Sequence, residues 1–289
     1  MNNILVTGAT GLLGRSLIPH LKMRGHNIVT QSRVEDSDFL IDLSDKKNVF
    51  DLLDQVAPTV IINLVGLTSV DLCQEQTNAA YLANCHTVEN IAKWIRQSGL
   101  DCHLIQMSTD QVYDGIGPHS EEAVTVTNNY GFSKYAGELA AALVPSTILR
   151  TNFIGLSHAP NRVSITDWVF ESLSSGSNIK VLDDVLFSPL SMKTLLVMID
   201  LVIEKMPIGI FNLGSHNGMS KADFDFKFAA CLGLETKTMT RVTTETATFL
   251  KAYRPKDMRL DCEKIEKELG IILPNLIDEI QLAAKEYRT

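Results

Sequence analysis

Short apolar runs and amphipathic stretches alternate through the first half of the chain. The apolar run at residues 4–7 ends at Gly8, and leucine and isoleucine residues then recur at helical spacing from Leu12 to Leu21. A short apolar run bounded by turn residues predicts a buried strand, and apolar residues three and four positions apart predict a helix. On this basis the first 151 residues contain strands at 4–7, 26–31, 39–41, 59–63, 102–107 and 147–150, and helices that begin near 12, 45, 78 and 128.

This alternation predicts an α/β fold with a doubly wound, parallel Rossmann-type sheet. It weakens beyond Thr151, so residues 152–289 are predicted to form a smaller C-terminal lobe that is partly interleaved with residues 1–151. A ligand of such a sheet should lie over the carboxyl ends of its strands. The elements predicted in the lobe are helices at 165–173, 193–204, 221–232, 261–269 and 276–287 and strands at 179–182 and 209–213.

Composition and charge exclude several classes of function. The 289 residues carry 26 Lys and Arg against 34 Asp and Glu, a net charge of −8, so nucleic-acid binding has no electrostatic support. The sequence shows neither a signal peptide nor an apolar run of about 18 residues, so we expect a cytoplasmic protein without membrane contact. Cysteines without C-x-x-C spacing and scattered histidines predict reduced thiols and no metal site.

Three glycines at three-residue steps follow the first predicted strand and open the first helix. Gly8 permits backbone angles that a β-carbon would forbid, and Gly11 lets a ligand approach closely. Gly14 allows the helix to pack against the strand, and the helix N-terminus favours a phosphate. A plain glycine-rich turn is the alternative, but the flanking strand and helix favour a dinucleotide-binding loop. Residues 1–151 are therefore the predicted NAD(P)-binding domain and 152–289 the substrate-binding lobe. The predicted cofactor contacts in the loop are Gly8, Thr10, Gly11, Leu12, Leu13 and Gly14.

The end of the second strand carries Arg33, where many dinucleotide-binding enzymes place an acid for the ribose hydroxyls. An arginine there suits the 2′-phosphate of NADPH, and Arg15 supplies a second cation. We therefore predict NADPH, with NADH as the alternative cofactor and two solvated arginines as the alternative interpretation. Asp42 ends the third strand, where it could meet the adenine. The other predicted cofactor-binding residues are Leu43, Leu64, Val65 and Gly66.

Tyr130 and Lys134 lie four residues apart in a helical stretch, so they share one face of the helix. A phenol titrates near about 10, and an adjacent ammonium lowers its pKa towards neutral pH, where proton transfer is most effective. Thr109 follows the fifth strand, and its hydroxyl can donate to a substrate carbonyl. Ser108 competes for that role, but neighbouring residues of a strand face opposite sides. Together with the glycine loop, this set predicts catalysis rather than an amphipathic helix with a solvated lysine.

Asn84 lies in an apolar helical stretch, where a buried amide needs hydrogen-bond partners. It is predicted to hold a water or a backbone group that serves the tyrosine–lysine pair, and a purely structural hydrogen bond is the alternative. Structural interpretations apply to His86 and His103, to Trp94 and Trp168 as core residues, and to Glu121 and Glu122 as residues of a solvated loop.

Five stretches, in order along the chain, resemble the dTDP-4-dehydrorhamnose reductases, a family of extended short-chain dehydrogenases/reductases. They are VTGATGLLG (6–14), INLVGLTSVDLCQ (62–74), MSTDQVYDG (107–115), NYGFSKYAGE (129–138) and RPKDMRLD (254–261). Members of this family reduce the 4-keto group of a nucleotide-linked 6-deoxysugar with NAD(P)H. The stretches are spread over nearly the whole chain, so the resemblance implies the family's fold and activity.

The resemblance also implies roles for individual residues. Thr109, Tyr130 and Lys134 match the catalytic threonine, tyrosine and lysine, and Lys134 also binds the cofactor ribose. Gln111 stands where related 4,6-dehydratases carry a catalytic glutamate, which disfavours dehydration, and Phe153 replaces a tryptophan near the sugar. The implied substrate-binding residues are Thr68, Val70, Thr109, Asp110, Gln111, Tyr130, Phe153 and, at the nucleotide end, Arg254.

The sequence therefore predicts an NADPH-dependent reductase of a nucleotide-linked 4-keto-6-deoxysugar, without a nucleic-acid or membrane partner; a homodimer is possible. Two alternatives stay open. A nucleotide-sugar epimerase would return the hydride to the same sugar and leave no net change in NADPH. A non-catalytic, NADP-binding regulatory subunit would resemble methionine adenosyltransferase subunit beta, which has a closely similar glycine loop, GATGLLGR.

Overall fold

Short apolar runs such as Ile4–Val6 form the strands and are fully buried, as expected for a sheet covered on both faces. The structure, a computed structural model, describes residues 2–34, 36–160 and 162–288. In chain order the strands are β1 (Asn3–Thr7), β2 (Asn27–Ser32), β3 (Phe39–Leu40), β4 (Val60–Asn63), β5 (His103–Thr109), β6 (Ser146–Thr151), β7 (Phe153–Ile154), β8 (Ile179–Leu182), β9 (Leu186–Phe187), β10 (Leu190–Ser191), β11 (Gly209–Leu213), β12 (Met219–Ser220) and β13 (Met239–Val242).

Polar side chains begin several helices by accepting a hydrogen bond from the first turn. Asp45, Ser69, Asn128, Ser164 and Ser220 each accept the backbone N–H three residues further on. The helices are α1 (Leu12–Met23), α2 (Lys46–Val56), α3 (Val70–Glu75), α4 (Thr77–Tyr81), α5 (Thr87–Ser98), α6 (Asn129–Ala141), α7 (Ile165–Ser174), α8 (Met192–Lys205), α9 (Lys221–Leu232), α10 (Glu263–Leu269) and α11 (Leu276–Lys285), with a π-helix at Leu82–His86 and a 3₁₀-helix at Asp110–Val112.

Seven strands form one sheet in the order β3-β2-β1-β4-β5-β6-β11. The pairs β2–β3, β1–β2, β1–β4 and β4–β5 are parallel, and Thr7 lies opposite Asn63. This confirms the predicted doubly wound, Rossmann-type α/β sheet. The strand order reverses between β1 and β4, and a sheet of this kind binds its ligand in the crevice at that switch point. The glycine turn and the loop at residues 64–66 both start there.

The described residues fall into two compact units, and the chain passes between them several times. The first unit contains residues up to Thr109, 128–150 and 199–211, and the second contains 110–127, 151–198 and the chain from Asn212. In the first unit, side chains of α2, α5 and α6 form a core with the sheet. Trp94 of α5 is 1% exposed, and its ring nitrogen donates to Asp54 at 2.7 Å, so its predicted core position is confirmed.

Aromatic residues fill the core of the second unit. Phe187 and Phe224 meet edge to face with ring centroids 5.3 Å apart, and Phe228 meets Tyr287 in the same way at 5.4 Å. The hydroxyl of Tyr287 donates to the carboxylate of Asp167, which ties the chain after α11 to α7. Three short strand pairs, β7 with β10, β8 with β13 and β9 with β12, belong to this unit.

Two predicted environments are wrong. Glu121 is buried, and its carboxylate accepts the backbone N–H of Asn212 at 2.9 Å, so it does not belong to a solvated loop. Trp168 is 37% exposed on α7 instead of lying in the core. Helical periodicity identifies an apolar face, but it cannot say whether another element covers that face.

Several elements also differ from the prediction. The helix predicted to begin near residue 78 is interrupted by the π-helix. The sequence pattern predicted neither α3 nor the two-residue strands of the second unit. Segments this short contain too few residues to display a period. The strands β8 and β11 and the helix α9 have the predicted bounds.

Glu138 of α6 and Arg150 of β6 form a buried ion pair in the first unit. Neither is more than 1% exposed, and Nη2 of the guanidinium lies 2.6 Å from Oε2 of the carboxylate. The guanidinium Nε donates to the same carboxylate at 3.0 Å, and the hydroxyl of Ser108 donates to it as well. The pair therefore fixes α6 to β5 and β6, and it engages the hydroxyl that competed with Thr109 for a catalytic role.

Replacing Arg150 with Met should destabilise the protein by about 3–5 kcal/mol, because the carboxylate of Glu138 would stay buried without its counter-charge. Urea unfolding measures the change. The control is Asp51→Asn, which removes the exposed ion pair between Lys47 and Asp51 and should leave the unfolding midpoint nearly unchanged. Equal effects of the two substitutions would contradict a structural role for the buried pair.

Candidate active site

The turn after β1 brings Gly8 against the loop that follows β4. Gly8 has a φ of +66°, and a Cβ at this position would lie 2.8 Å from the backbone carbon of Leu64 and 2.9 Å from the nitrogen of Val65. Only glycine fits both the left-handed backbone and the close approach. The structure thus brings together three of the predicted cofactor-binding residues at the switch point.

Helix α1 starts from this turn without a side-chain cap. Gly11 is the N-cap residue, and the first turn contains no acidic side chain. No side chain of the first turn therefore neutralises the positive end of the helix dipole, which suits an anionic group. Gly14 has a different role from the expected one, because a Cβ there would collide with the backbone of Ala9 in the turn itself and not with the strand.

The two arginines predicted to bind a 2′-phosphate lie beside the loop that follows β2. Arg33 is exposed, and Arg15 is ion-paired with Asp36 at 2.9 Å. The Nε of Arg15 and the hydroxyl of Ser37 are buried and have no hydrogen-bond partner among the residues that the structure describes. These two unsatisfied donors, one of which belongs to an arginine, suit an anionic acceptor such as a phosphate.

Asp42 and Leu43 follow β3 and differ in exposure. The carboxylate of Asp42 is exposed and accepts the backbone N–H of Ser44 at 2.9 Å. That N–H and, to a smaller extent, the guanidinium of Arg33 hold the pKa of Asp42 below its usual value. The side chain of Leu43 packs in the core, so only its backbone can face a cofactor.

Lys134 extends from α6 towards the carboxyl end of β5. It is 6% exposed, and its ammonium donates to the backbone carbonyl of Met107 at 2.6 Å. Burial lowers the pKa of Lys134 to about 8, although the negative charge of Glu138 acts in the opposite direction. The ammonium is thus largely protonated at neutral pH and is close to the range in which it can influence a proton transfer.

A chain of buried hydrogen bonds joins the carboxyl ends of three strands to the same carbonyl. Thr7 Oγ1 donates to Asn63 Oδ1 at 2.6 Å, Asn63 Nδ2 donates to Gln106 Oε1 at 2.7 Å, and Gln106 Nε2 donates to the Met107 carbonyl at 2.8 Å. We call this set the strand-end chain. It fixes β1, β4 and β5 relative to the ammonium of Lys134, and none of its side chains was predicted to belong to the site.

Asn84 lies in the π-helix and is 1% exposed. Its Oδ1 accepts the N–H of Leu67 at 2.8 Å, and its Nδ2 donates to the carbonyl of Leu67 at 3.0 Å and to the hydroxyl of Ser133 at 2.9 Å. Ser133 in turn donates to the carbonyl of Tyr130 at 2.9 Å. Asn84 therefore holds the loop after β4 against α6, and Ser133 links it to the backbone of Tyr130.

Tyr130 lies one turn before Lys134 on α6 and is 8% exposed. It packs in a small apolar cluster with Cys73 and Ala80, against which Leu67 and Val70 also pack. Burial raises the pKa of the Cys73 thiol to about 11, so the thiol stays protonated beside the phenol.

The remaining predicted residues of the first unit are also placed. Thr109 is the last residue of β5 and is buried. A Cβ at Gly66 would lie 3.0 Å from Oδ1 of Asn84 and 3.9 Å from Nζ of Lys134, so this loop passes close to the lysine. Thr68 is exposed, and Val70 begins α3. The catalytic, cofactor-binding and substrate-binding roles of these residues stay predictions.

The second unit contains a cavity of about 880 Å³, within the range of small-molecule sites. Its walls include Trp168 of α7, Phe249, the α9 residues Lys221 and Asp225, and Arg254. Arg254 was predicted to bind the nucleotide end of a substrate. Three further residues predicted for a substrate also belong to this unit: Asp110 accepts from Asn152 at 2.8 Å, Gln111 lies in the 3₁₀-helix, and Phe153 begins β7.

Two ionisable groups that line this cavity have shifted pKa values. Asp225 is 1% exposed, and its Oδ1 has no hydrogen-bond partner in the part of the chain that the structure describes. Burial raises the pKa of Asp225 to about 8, and the ammonium of Lys221 acts in the opposite direction. Burial also lowers the pKa of Lys221. Sequence reasoning missed both residues, although an acid within a helix face made otherwise of alanine and phenylalanine was a usable signal.

Two absences apply to residues 2–34, 36–160 and 162–288. No group of three or more His, Cys, Asp or Glu residues there is arranged to hold a metal ion. No helix in these ranges combines the length and the apolar character needed to cross a membrane.

Comparison with known proteins gives a family model, relatives and a solved structure that each match nearly the whole chain. The family model of the RmlD substrate binding domain matches residues 1–289. The chain is 26% identical over 288 residues, 95% of each chain, to the probable low-salt glycan biosynthesis reductase Agl14 of Haloferax volcanii. It is 27% identical over 290 residues to methionine adenosyltransferase 2 subunit beta of Rattus norvegicus, covering 93% of this chain and 82% of that one. The solved structure of a dTDP-4-dehydrorhamnose reductase from Clostridium acetobutylicum superposes with a TM-score of 0.88 at 26% identity over 99% of both chains.

Replacing Asp225 with Asn should stabilise the protein increasingly as the pH rises from about 5 to about 8. The folded protein keeps the proton of Asp225 up to about pH 8, whereas the unfolded chain releases it near 3.8. Between these values the folded state binds more protons, so the wild type loses stability as the pH rises and the amide variant does not. Melting temperatures across this pH range measure the difference.

The matched control is Asp223→Asn on the same helix. The guanidinium of Arg241 lowers the pKa of Asp223, so this substitution should destabilise the protein above about pH 4. A melting-temperature difference between wild type and Asp225→Asn that is constant with pH would contradict the raised pKa.

Proposed function

Because the chain belongs to the family of the RmlD substrate binding domain, we propose that it reduces the keto group of a nucleotide-linked 4-keto-6-deoxysugar with NADPH. The observation that carries this proposal is the buried ammonium of Lys134, one turn after Tyr130. It lies at the carboxyl end of β5, and the glycine turn starts at the carboxyl end of β1 in the same sheet. The relatives named as reductases, which match nearly the whole chain, support it.

In the proposed reaction Tyr130 protonates the keto oxygen as negative charge develops on it. NADPH, when bound, supplies the hydride for the keto carbon. Lys134 stabilises the phenolate that Tyr130 becomes, and its burial strengthens this interaction relative to water. Thr109, at the end of β5, steadies the same oxygen through its hydroxyl. Asn84 acts indirectly, through Ser133, on the position of the tyrosine.

The cofactor residues of the chain fit NADPH. The uncapped start of α1 and the glycine turn would hold the pyrophosphate. The unsatisfied Nε of Arg15 and hydroxyl of Ser37, with Arg33 nearby in the sequence, would bind the 2′-phosphate. NADH lacks that phosphate and would leave these donors unsatisfied, so NADPH is the favoured cofactor and NADH the alternative.

One further function is favoured by a specific observation. The 27% identity to methionine adenosyltransferase 2 subunit beta extends over 93% of this chain, so a regulatory subunit that binds NADP without turnover is the second candidate. Co-sedimentation with a methionine adenosyltransferase catalytic subunit, set beside a kinetic assay, separates the two candidates. The epimerase, the homodimer and the cytoplasmic location stay predictions of the sequence.

Replacing Tyr130 with Phe should lower kcat about 10²- to 10⁴-fold, because the ring remains but the proton donor is lost. NADPH oxidation in the presence of a dTDP-4-keto-6-deoxysugar measures the change, and NADPH affinity should be nearly unaffected. Tyr135→Phe, the same substitution on the same helix, is the control and should keep full activity. Turnover by the Tyr130 variant at the wild-type rate would exclude the proposed proton donor.

Replacing Arg33 with Ala should weaken NADPH binding about tenfold or more and leave NADH binding unchanged, because only NADPH carries the 2′-phosphate. Fluorescence titration of both cofactors gives the two dissociation constants. Arg24→Ala removes a cation that is ion-paired with Asp200 instead and should affect neither cofactor. An equal loss of affinity for NADPH and NADH would argue against phosphate recognition by Arg33.

A further inference from the structure

The cavity of the second unit is lined by a buried carboxyl group, one oxygen of which has no hydrogen-bond partner among the described residues. Asp225 lines the cavity and is 1% exposed, and its Oδ1 is buried without a hydrogen-bond partner in the described residues. A buried polar atom without a partner destabilises the folded chain unless a ligand supplies the partner. Asp225 is one of the residues that line this cavity.

The order of Lys221 and Asp225 along α9 is also not the favourable one for a helix. Lys221 is the first residue of α9, where its positive charge opposes the helix dipole. Asp225 follows it at i+4, and a lysine preceding an acid at this spacing is the weaker order of the two. Helix stability alone therefore gives little reason for this pair at the cavity wall.

The rest of the wall suits a nucleoside diphosphate, and this step rests on the proposed function. The rings of Trp168 and Phe249 are 37% and 51% exposed and offer stacking surfaces for a base. Lys221 and Arg254 supply cations for phosphate groups, and Arg254 is close enough to Lys221 to lower its pKa further.

We propose that the carboxyl group of Asp225 determines nucleobase specificity by hydrogen-bonding to the imide edge of thymine or uracil. A carboxylic acid presents one O–H donor and one C=O acceptor side by side. The imide edge of a thymine or uracil presents the complementary pair, an N–H donor and a carbonyl acceptor. Guanine presents two adjacent N–H donors, which match an ionised carboxylate and leave the acid's O–H opposite a donor.

The titration of the site is consistent with the acid form. Burial raises the pKa of Asp225 to about 8, so the proton is retained at neutral pH. The charged groups that line the cavity with it are Lys180 of β8, Lys221 of α9 and Arg254. The Lys221 ammonium lowers the pKa, and the stated value already includes its effect.

Isothermal titration of the full chain with dTDP, UDP and GDP tests the proposal. The wild type should bind dTDP and UDP about tenfold or more tightly than GDP near neutral pH. Asp225→Ala should weaken dTDP and UDP binding about tenfold and GDP binding little. Asp225→Asn keeps one donor and one acceptor in the same shape, so it should retain the preference for dTDP and UDP.

Asp223→Asn, on the same helix and outside the cavity wall, is the matched control and should bind all three diphosphates as the wild type does. Unchanged dTDP affinity in Asp225→Ala would overturn the proposal, and so would an equal loss for dTDP and GDP, which would assign Asp225 to the sugar or phosphate. Melting curves establish that each variant is folded.

The two proposals fail in different ways. Selective dTDP and UDP binding that depends on Asp225, without turnover of any nucleotide keto-sugar, would support the base assignment and refute the reductase. Turnover of a dTDP-linked keto-sugar with the same KM in wild type and Asp225→Ala would refute the base assignment alone.

Discussion

The carbonyl of Met107 is the point at which the first unit brings its fold and its chemistry together. It accepts the ammonium of Lys134 and the amide of Gln106, and through Gln106 it ends the strand-end chain. Lys134 is 6% exposed, so its ammonium needs fixed acceptors in place of water. The position of the lysine is therefore set by the register of three strands. The same register places Gly8 against the loop after β4, so the predicted cofactor loop and the predicted catalytic lysine depend on one set of hydrogen bonds.

Close helix packing supplies the second constraint on the site. A Cβ at Gly137 would collide with the backbone carbonyl of Asn84, so α6 can approach the π-helix only because this residue is glycine. The wider turn of a π-helix is a common device at functional sites, and here it lies at Asn84. The side chain of Asn84 then reaches the loop after β4 and, through Ser133, the backbone of Tyr130. Tyr130 and Lys134 are thus held from both ends of the same turn of α6.

The sequence predicted the features that follow from a regular alternation of elements or from a short local motif. The sheet follows from regular alternation, and Gly8 from a glycine between a strand and a helix. The strand-end chain was missed because Asn63 and Gln106 are polar residues within apolar runs, and only the pairing of strands shows that they meet. The roles of Gly14 and Gly137 were missed or misassigned because each depends on which backbone lies opposite. Trp168 and Glu121 were misplaced because periodicity gives no information about coverage by distant segments.

Buried charged groups of the described residues differ in whether protein partners satisfy them, and this difference bears on their roles. In the first unit the ammonium of Lys134 and the ion pair of Glu138 and Arg150 have protein partners, whereas the Nε of Arg15 has none among the described residues. In the second unit the carboxyl group of Asp225 lacks one partner, and its pKa is raised to about 8. A group that has protein partners keeps its position without a ligand. A recognition site gains from leaving a group to be satisfied by the correct ligand, because a wrong ligand then leaves that group unpaired and binds more weakly.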